Sequence, residues 1–301
     1  MVETLLGEYL YTIGAVVLWA ASTPVISYAL EGCRRTSGSF FAVVVGLNVA
    51  LATGFIVLTM IRGLPTLSLF LDIDILIAGL LTFPIGTGLY YVTSILNQDR
   101  AALAAQFANV KPILTISAGV LLFAEVLDWA AIFAVALILF GILLMFRSAL
   151  RAARSLKPLV YGLLLAAAWG IGEIFVKFAS FDIARFDVAH ASLGASIPIT
   201  VICSIGLLLS RRVPSSNAIP LPVLGAFALH GLFSFAGAYV FYFASIAEIG
   251  LANTALAVAF WPLLGLVFAS FFKPRVLSSV PSSSLFAMGI FLAGALLHVG
   301  F

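Results

Sequence analysis

The chain has 301 residues, of which 63% are hydrophobic and 9% are charged, and its mean hydropathy is +1.21. Soluble domains are typically about 45–50% apolar and about 25% charged, so this composition excludes a water-soluble fold and predicts a membrane protein. The formal net charge of +3 comes from basic loops rather than from a basic patch, and it predicts no nucleic-acid partner.

Apolar segments of membrane-spanning length follow one another along the whole chain. A hydrocarbon core about 30 Å thick needs roughly 20 apolar residues in helical form. The sequence therefore predicts an all-α membrane protein with about ten transmembrane helices. These lie near 9–30, 38–61, 73–96, 101–122, 128–146, 158–180, 188–210, 219–246, 250–272 and 282–300.

The second half of the chain is a faint copy of the first, displaced by about 150 residues. Residues 1–150 and 151–301 are predicted to form two five-helix repeats. Because each repeat holds an odd number of spans, the second repeat enters the membrane upside down. Inverted repeats around a midplane site are typical of secondary transporters. The matched positions are Tyr11 with Tyr161, Trp19 with Trp169, Arg62 with Arg212, Ala102 with Ala252, and Pro112 with Pro262.

The basic residues of the loops predict an orientation in the membrane. Of the 15 lysines and arginines, 11 fall on one side and only Arg62 and Arg185 fall on the other. Cytoplasmic loops carry an excess of basic residues. This places the loop between the repeats in the cytoplasm and both termini outside, in a plasma (cytoplasmic) membrane. The 11 are Arg34, Arg35, Arg100, Arg147, Arg151, Arg154, Lys157, Arg211, Arg212, Lys273 and Arg275.

Lys111 lies in the middle of a predicted span. An ionisable side chain in the bilayer costs at least about 2.5–3.5 kcal/mol, so it needs a protein or water environment. Lys111 is roughly 15 Å from either end of its helix, too far to reach the headgroups. We expect it to face an aqueous cavity, or alternatively to bond backbone carbonyls freed by Pro112. Its counterpart is Trp261, so the two positions are predicted to approach one midplane site from opposite sides.

The first helix of each repeat carries a polar stripe. Trp19 and Thr23 have the counterparts Trp169 and Glu173, and Lys177 follows Glu173 at the i+4 position. In one interpretation Glu173 and Lys177 form a self-neutralised pair that only holds helices together. In the other, Glu173 titrates during transport or the pair opens to receive substrate.

Three further polar or aromatic side chains are candidates for the site. His230 lies near the middle of its span and is a candidate for proton coupling, although a hydrogen-bonded packing role is the alternative. Tyr91 and Tyr239 occupy corresponding regions of the third and eighth spans and are candidates for cavity lining.

Short motifs in the first repeat resemble the drug/metabolite transporter superfamily, specifically its ten-helix branch with two EamA-type repeats. The motifs are a small-residue helix start, a proline in mid-helix, a glutamate after the helix, here Glu125, and a glycine in the next helix. The second repeat has Lys273-Pro274-Arg275 where the glutamate would fall. The resemblance implies that Glu125 is structural. The matching stretches are Ala102 to Ala105, Val110 to Ile113, Gly119 to Leu127, and Leu139 to Ile142.

The resemblance also implies a central cavity between the halves and alternating access by rocking. Members of this superfamily move amino acids, sugar phosphates, nucleotide sugars and other small metabolites, mostly by export or exchange. Ten-helix relatives are usually drawn with cytoplasmic termini, which is opposite to the orientation that the charges of this chain predict.

The leading hypothesis is a secondary transporter of a small polar or amphipathic metabolite, amino-acid-like or anionic. A proton-coupled exporter of lipophilic cations is the alternative, and a channel or lipid flippase is a third. An enzyme is disfavoured because the histidines are scattered and no carboxylates are paired within the spans. Without an ATP-binding motif, the expected drivers are protons or a counter-substrate. No cofactor or metal is predicted, and a monomer is expected to suffice. The candidate substrate-binding residues are Trp19, Thr23, Tyr91, Lys111, Trp169, Glu173, Tyr239 and Trp261, and those for gating or proton coupling are Glu173, Lys177 and His230.

Overall fold

The computed structural model describes residues 9–36, 38–96, 110–152, 157–210, 219–259, 261–272 and 282–299. Within these ranges the chain forms ten helices and no strand. Seven helices are single or continuous: α1 (Leu10–Arg34), α2 (Ser39–Arg62), α4 (Lys111–Leu122), α5 (Trp129–Ala152), α6 (Lys157–Ala179), α7 (Arg185–Leu209) and α10 (Ser282–Val299). Three are composite: α3 (Ile73–Leu80, Leu81–Thr87 and Gly88–Leu96), α8 (Leu221–His230, Gly231–Ala238 and Tyr239–Ile249) and α9 (Leu251–Val258 and Trp261–Phe272).

The lengths of the helices match a membrane-spanning bundle. In the described part of the chain, 7 helices are long and apolar enough to cross a bilayer, and α4, α5 and α10 contribute shorter apolar stretches. The expectation of an all-α membrane protein with about ten spans in two repeats is therefore confirmed.

The pattern of helix contacts stays the same when the two repeats are exchanged. Helix α1 packs against α8 and α9, and its counterpart α6 packs against α3 and α4. Likewise α2 packs against α8, while α7 packs against α3. The remaining large contacts, α2 with α7, α4 with α9 and α5 with α10, are their own counterparts under this exchange. Such a pattern is that of a pseudo-twofold, and with five helices per repeat it turns the second repeat upside down.

Two wide π-type turns interrupt α3 and α8 at matching places. They begin at Leu81 and Gly231, which have the same spacing as Trp19 and Trp169. Pro84 lies in the first turn, where its missing N–H disrupts the regular ladder of hydrogen bonds. The second turn begins at a glycine whose added Cβ would lie 2.2 Å from the carbonyl oxygen of Ala50, so α2 and α8 touch backbone to backbone here.

A chain of buried hydroxyls joins three helices near the end of the bundle where α1 begins, which we call the terminal end. Thr12 of α1 contacts Ser245 of α8, and the Ser245 hydroxyl lies 3.0 Å from that of Thr254 in α9. All three side chains are buried, and their hydrogen bonds link these helices directly. Two half-exposed ion pairs lie at the same end, Arg62–Asp187 and Arg185–Glu248.

One residue connects α8 to α9 at the terminal end. Gly250 has φ +92° and ψ 168°, a conformation that L side chains rarely adopt. Helix α8 ends at Ile249 and α9 begins at Leu251, so the chain reverses direction across a single glycine.

Candidate functional site

A cavity lies between the two repeats, beside the π-type turns of α3 and α8. Its water-accessible volume is about 50 Å³, which is several times the roughly 10–15 Å³ that one water molecule needs. All eight residues predicted to bind substrate line this cavity: Trp19, Thr23, Tyr91, Lys111, Trp169, Glu173, Tyr239 and Trp261. The other lining residues are Ser22, Ile26, Thr87, Tyr90, His230, Ser234 and Phe235.

An ion pair across the repeats forms part of the cavity wall. The Lys111 ammonium in α4 donates a hydrogen bond to Oε1 of Glu173 in α6, with an Nζ–Oε1 distance of 2.6 Å. The two residues are only 7% and 3% exposed, so neither charge is solvated from the surface. Buried charges persist in proteins when they are paired and hydrogen-bonded, and this pair meets both conditions.

Tyr242 of α8 holds the ammonium from a second direction. Its hydroxyl accepts a hydrogen bond from Lys111 Nζ at 3.0 Å, and the same Nζ lies 4.8 Å from the centre of its ring. The Tyr242 side chain is fully buried. Since an ammonium has three N–H donors, these two contacts leave one donor without a partner among the described residues.

The ion pair corrects one expectation drawn from the sequence. Glu173 does not pair with Lys177 along its own helix, because Lys111 of the other repeat occupies its carboxylate. The alternative for Lys111 stays a prediction, because the carbonyl group that Pro112 frees, at residue 108, lies outside the described part of the chain, and among the described residues the ammonium has a carboxylate and a phenol as partners. The residues expected to continue the helix before Lys111, up to 109, lie outside the described part of the chain.

Lys177 lies toward the terminal end of α6 and is not a cavity residue. Its Nζ lies 4.0 Å from Oε1 of Glu125 and donates to the carbonyl oxygen of Ile246 at 3.3 Å. Its long side chain reaches the helix ends, where polar partners are available, rather than the cavity where Glu173 faces Lys111. The structure therefore separates Lys177 from the other candidates for coupling.

Glu125 caps the start of α9. Its two carboxylate oxygens accept hydrogen bonds from the backbone N–H groups of Leu251 and Ala252, each at 2.7 Å. The first N–H groups of a helix have no partner within the helix, and an anion there also interacts favourably with the helix dipole. Glu125 thus ties the loop after α4 to the second repeat.

His230 and Tyr91 bring unpaired polar atoms to the cavity. The two rings are 5.8 Å apart, and His230 also contacts Phe235 at 5.4 Å. His230 is 6% exposed. Within the described residues, its Nδ1, the Tyr91 hydroxyl and Oε2 of Glu173 are buried and make no hydrogen bond. Buried polar groups in proteins are mostly satisfied, so three unsatisfied groups on residues that line one cavity make it a candidate binding site for a polar solute.

Aromatic rings form the rest of the wall. Trp19 lies 5.1 Å from Tyr239 and 6.1 Å from Trp261, measured between ring centres. On the other side, Tyr90 and Trp169 are 5.8 Å apart, and the Trp169 indole N–H donates to the Thr82 carbonyl oxygen in the first π-type turn. The cavity therefore combines one ion pair with broad apolar surfaces.

The sequence profile of the EamA-like transporter family matches residues 6–147 and again residues 156–299. The chain belongs to this family. This EamA-like protein is a multi-pass membrane transporter, so it lies in a lipid bilayer and has a small-molecule substrate. No sequence match is found among curated proteins. Chains of solved structures do match, 24 in all. One, described as "Crystal structure of protein", has a TM-score of 0.66 and 14% identity over 97% of both chains. At this identity the likeness shows the fold alone.

Two features of the site in this EamA-like transporter were not predicted from the sequence. Tyr242, the second partner of Lys111, was not a candidate, although it follows Tyr239 by three residues and therefore shares its helix face. The pairing of Lys111 with Glu173 was not predicted either, because the two residues lie 62 positions apart on different repeats. No group of three or more metal-ligating side chains occurs within the described ranges.

Proposed function

We propose that this protein is a secondary transporter that moves a small polar or amphipathic metabolite, amino-acid-like or anionic, by alternating access through the central cavity. Its substrate contacts are Trp19, Thr23, Tyr91, Lys111, Trp169, Glu173, Tyr239 and Trp261. The family supplies the class of activity, and the proposal adds the site, the type of solute and the way it crosses.

The observation that carries the proposal is the Lys111–Glu173 pair at the wall of the cavity. One partner comes from each repeat, so rocking of the repeats against each other changes the environment of the pair directly. A polar solute can compete for either charge, which would couple binding to the arrangement of the repeats.

Orientation, coupling and assembly complete the proposal. The excess of basic loop residues supports a plasma-membrane protein with both termini outside and the loop between repeats in the cytoplasm. Exchange of substrates or a proton gradient would drive transport, with Glu173 and His230 as candidates for proton coupling. Because the cavity lies within one chain, a monomer would suffice.

A ligand screen followed by flux measurements tests this function. Purified full-length protein is heated with amino acids, sugar phosphates, amines and drugs, since a ligand that binds the folded state raises the melting temperature. Each stabilising compound is then offered to proteoliposomes. We expect uptake by the wild type and by Arg35→Met, which alters only an exposed ion pair with Glu31.

Lys111→Met is expected to abolish that uptake, because the substituted side chain cannot hold Glu173 or a polar solute. The melting temperature of the variant is recorded in parallel, so that loss of flux is read only from folded protein. Uptake at the wild-type rate by folded Lys111→Met would remove Lys111 from the site.

The second candidate function is proton-coupled export of lipophilic cations, which the aromatic wall and Glu173 favour. The pairing of Glu173 with Lys111 weighs against it, because the carboxylate already has a cationic partner. Growth of cells expressing the wild type or Glu173→Gln on a panel of toxic cations separates the two. A shift in resistance that depends on Glu173 would support cation export, and equal resistance for every cation would reject it.

A further inference from the structure

We propose that the cavity selects solutes of zero net charge, and that Lys111 and Glu173 set this selectivity by cancelling each other. The inference rests on the proposed transport function and narrows its substrate to zwitterions and uncharged polar molecules. It replaces the wider range that includes anions.

The charges around the cavity sum to zero. Within the described residues, the lining contains one lysine and one glutamate and no other Lys, Arg, Asp or Glu. Outside the lining, Lys177 lies next to Glu125 and Arg185 lies next to Glu248, so these described charges have partners of their own. A solute with net charge would therefore enter a site that offers it no uncompensated counter-charge, inside a bilayer that penalises net charge strongly.

A solute of zero net charge is favoured whether or not the ion pair opens. If the pair stays closed, an uncharged solute leaves both charges compensated. If it opens, a zwitterion can place its cationic end on Glu173 and its anionic end on Lys111, which again leaves no charge alone. An anion or a cation satisfies one partner and strands the other in a buried position, which is the costly outcome for a buried pair.

Unpaired atoms on the lining residues favour a solute that can donate a hydrogen bond. Oε2 of Glu173 is an acceptor only, and it makes no hydrogen bond to any described residue. A solute with an N–H or O–H donor would satisfy it. The Tyr91 hydroxyl and His230 Nδ1 are equally unpaired in the described structure and provide further sites for polar contacts. The aromatic surfaces of Trp19 and Trp261 fit an apolar portion of the same molecule.

Four probes with one aliphatic tail test the charge requirement. Leucine is a zwitterion, isocaproamide is uncharged, isoamylamine is a cation and isocaproate is an anion. Affinities are measured from the melting temperature of full-length protein against probe concentration. We expect the wild type to bind leucine or isocaproamide more tightly than either charged probe, on the order of tenfold or more.

Variants of the pair should change the preference in opposite directions. Lys111→Met leaves an anion in the wall and should favour isoamylamine, while Glu173→Gln leaves a cation and should favour isocaproate. The double variant Lys111→Met/Glu173→Gln has a neutral wall again, so it should prefer isocaproamide, and it guards against poor folding of the single variants. The control Arg35→Met should keep the wild-type order.

Several outcomes would overturn the inference. The first is that the wild type binds isoamylamine or isocaproate at least as tightly as it binds both leucine and isocaproamide. The second is that it binds none of the four probes. The third is that the single variants keep the wild-type order of affinities. Counterflow of the bound probe in liposomes separates this inference from the proposed function. Transport of an anion alone rejects the charge rule but keeps the transporter, whereas charge-selective binding without flux rejects transport and keeps the rule.

Discussion

The two repeats share a scaffold but differ in the chemistry that they bring to the cavity. The positions related by the pseudo-twofold to Lys111 and Glu173 are occupied by Trp261 and Thr23. The Thr23 hydroxyl donates to the carbonyl oxygen of Trp19 in its own helix, at 2.9 Å, and makes no hydrogen bond to a described residue of the other repeat. One wall of the cavity is therefore charged, and its counterpart is aromatic.

This difference indicates that the duplication supplies the frame and that single substitutions supply the specificity. A pseudo-twofold brings equivalent positions of both repeats to one cavity, so a polar substitution can arise at either of two equivalent positions in its wall. Filling both with charge would bury four ions, and each buried ion costs several kcal/mol unless it is well paired. A single ion pair limits that cost and gives the solute two unlike surfaces.

The largest expected effect comes from removing one charge of the pair. Lys111→Met or Glu173→Gln should lower the free energy of unfolding by about 3–5 kcal/mol, because each leaves an uncompensated buried charge. The double variant should recover most of this loss, since its wall resembles the neutral slot of Thr23 and Trp261. Denaturant unfolding of the four proteins in detergent gives the double-mutant cycle. Additive losses would show that the two side chains act independently.

Glu125→Ala should cause the second-largest loss in the free energy of unfolding. It removes two charge-assisted hydrogen bonds to the first turn of α9 and should cost about 1–3 kcal/mol. The second repeat has Arg275 at the corresponding place in the sequence, outside the described residues, so this glutamate cap belongs to the first repeat only. Glu31→Ala, in an exposed pair with Arg35, is the control and should cost less than about 0.5 kcal/mol. Equal melting temperatures for the two variants would contradict the cap.

Tyr242→Phe should have a smaller effect. It keeps the ring beside Lys111 and removes only the hydroxyl that accepts from the ammonium, which is one hydrogen bond against the two that Glu125 makes, at a cost of about 1.5 kcal/mol, the low end for a hydrogen bond to a charged group. Tyr28→Phe, on the half-exposed Tyr28 of α1, is the matched control and should leave stability unchanged. The measurement is the same unfolding experiment, and a loss as large as that of Lys111→Met would mean that the ring has moved.

Thr23→Val should have the smallest effect. The two side chains have similar shape, and the lost hydrogen bond is to the local backbone, so the free energy of unfolding should fall by less than about 1 kcal/mol. Comparing this value with that of Glu173→Gln, the variant of the equivalent position, measures the asymmetry of the slots directly. Similar losses at both positions would remove the distinction between the charged and the aromatic wall.

The sequence predicted the frame of this protein better than the contacts inside it. Span lengths and the repeat of Trp19 as Trp169 depend on composition and spacing, which the sequence displays. The position of Lys111 in mid-span also pointed to the cavity. The partner of Lys111 could not be predicted, because Glu173 also has Lys177 four residues along its own helix. Only the packing of α4 against α6 shows which of the two lysines it contacts. The π-type turns were equally hidden, since Pro84 in α3 indicates a break but not its form and the turn of α8 contains no proline.

The glycine corner at residue 250 has a mechanical consequence. With one residue between them, the end of α8 and the start of α9 stay together at the terminal end. If the proposed alternating access opens this end, α1 would move away from the joined ends of α8 and α9. The contact between Thr12 and Ser245 would then break in each cycle, while the contact between Ser245 and Thr254 would be kept.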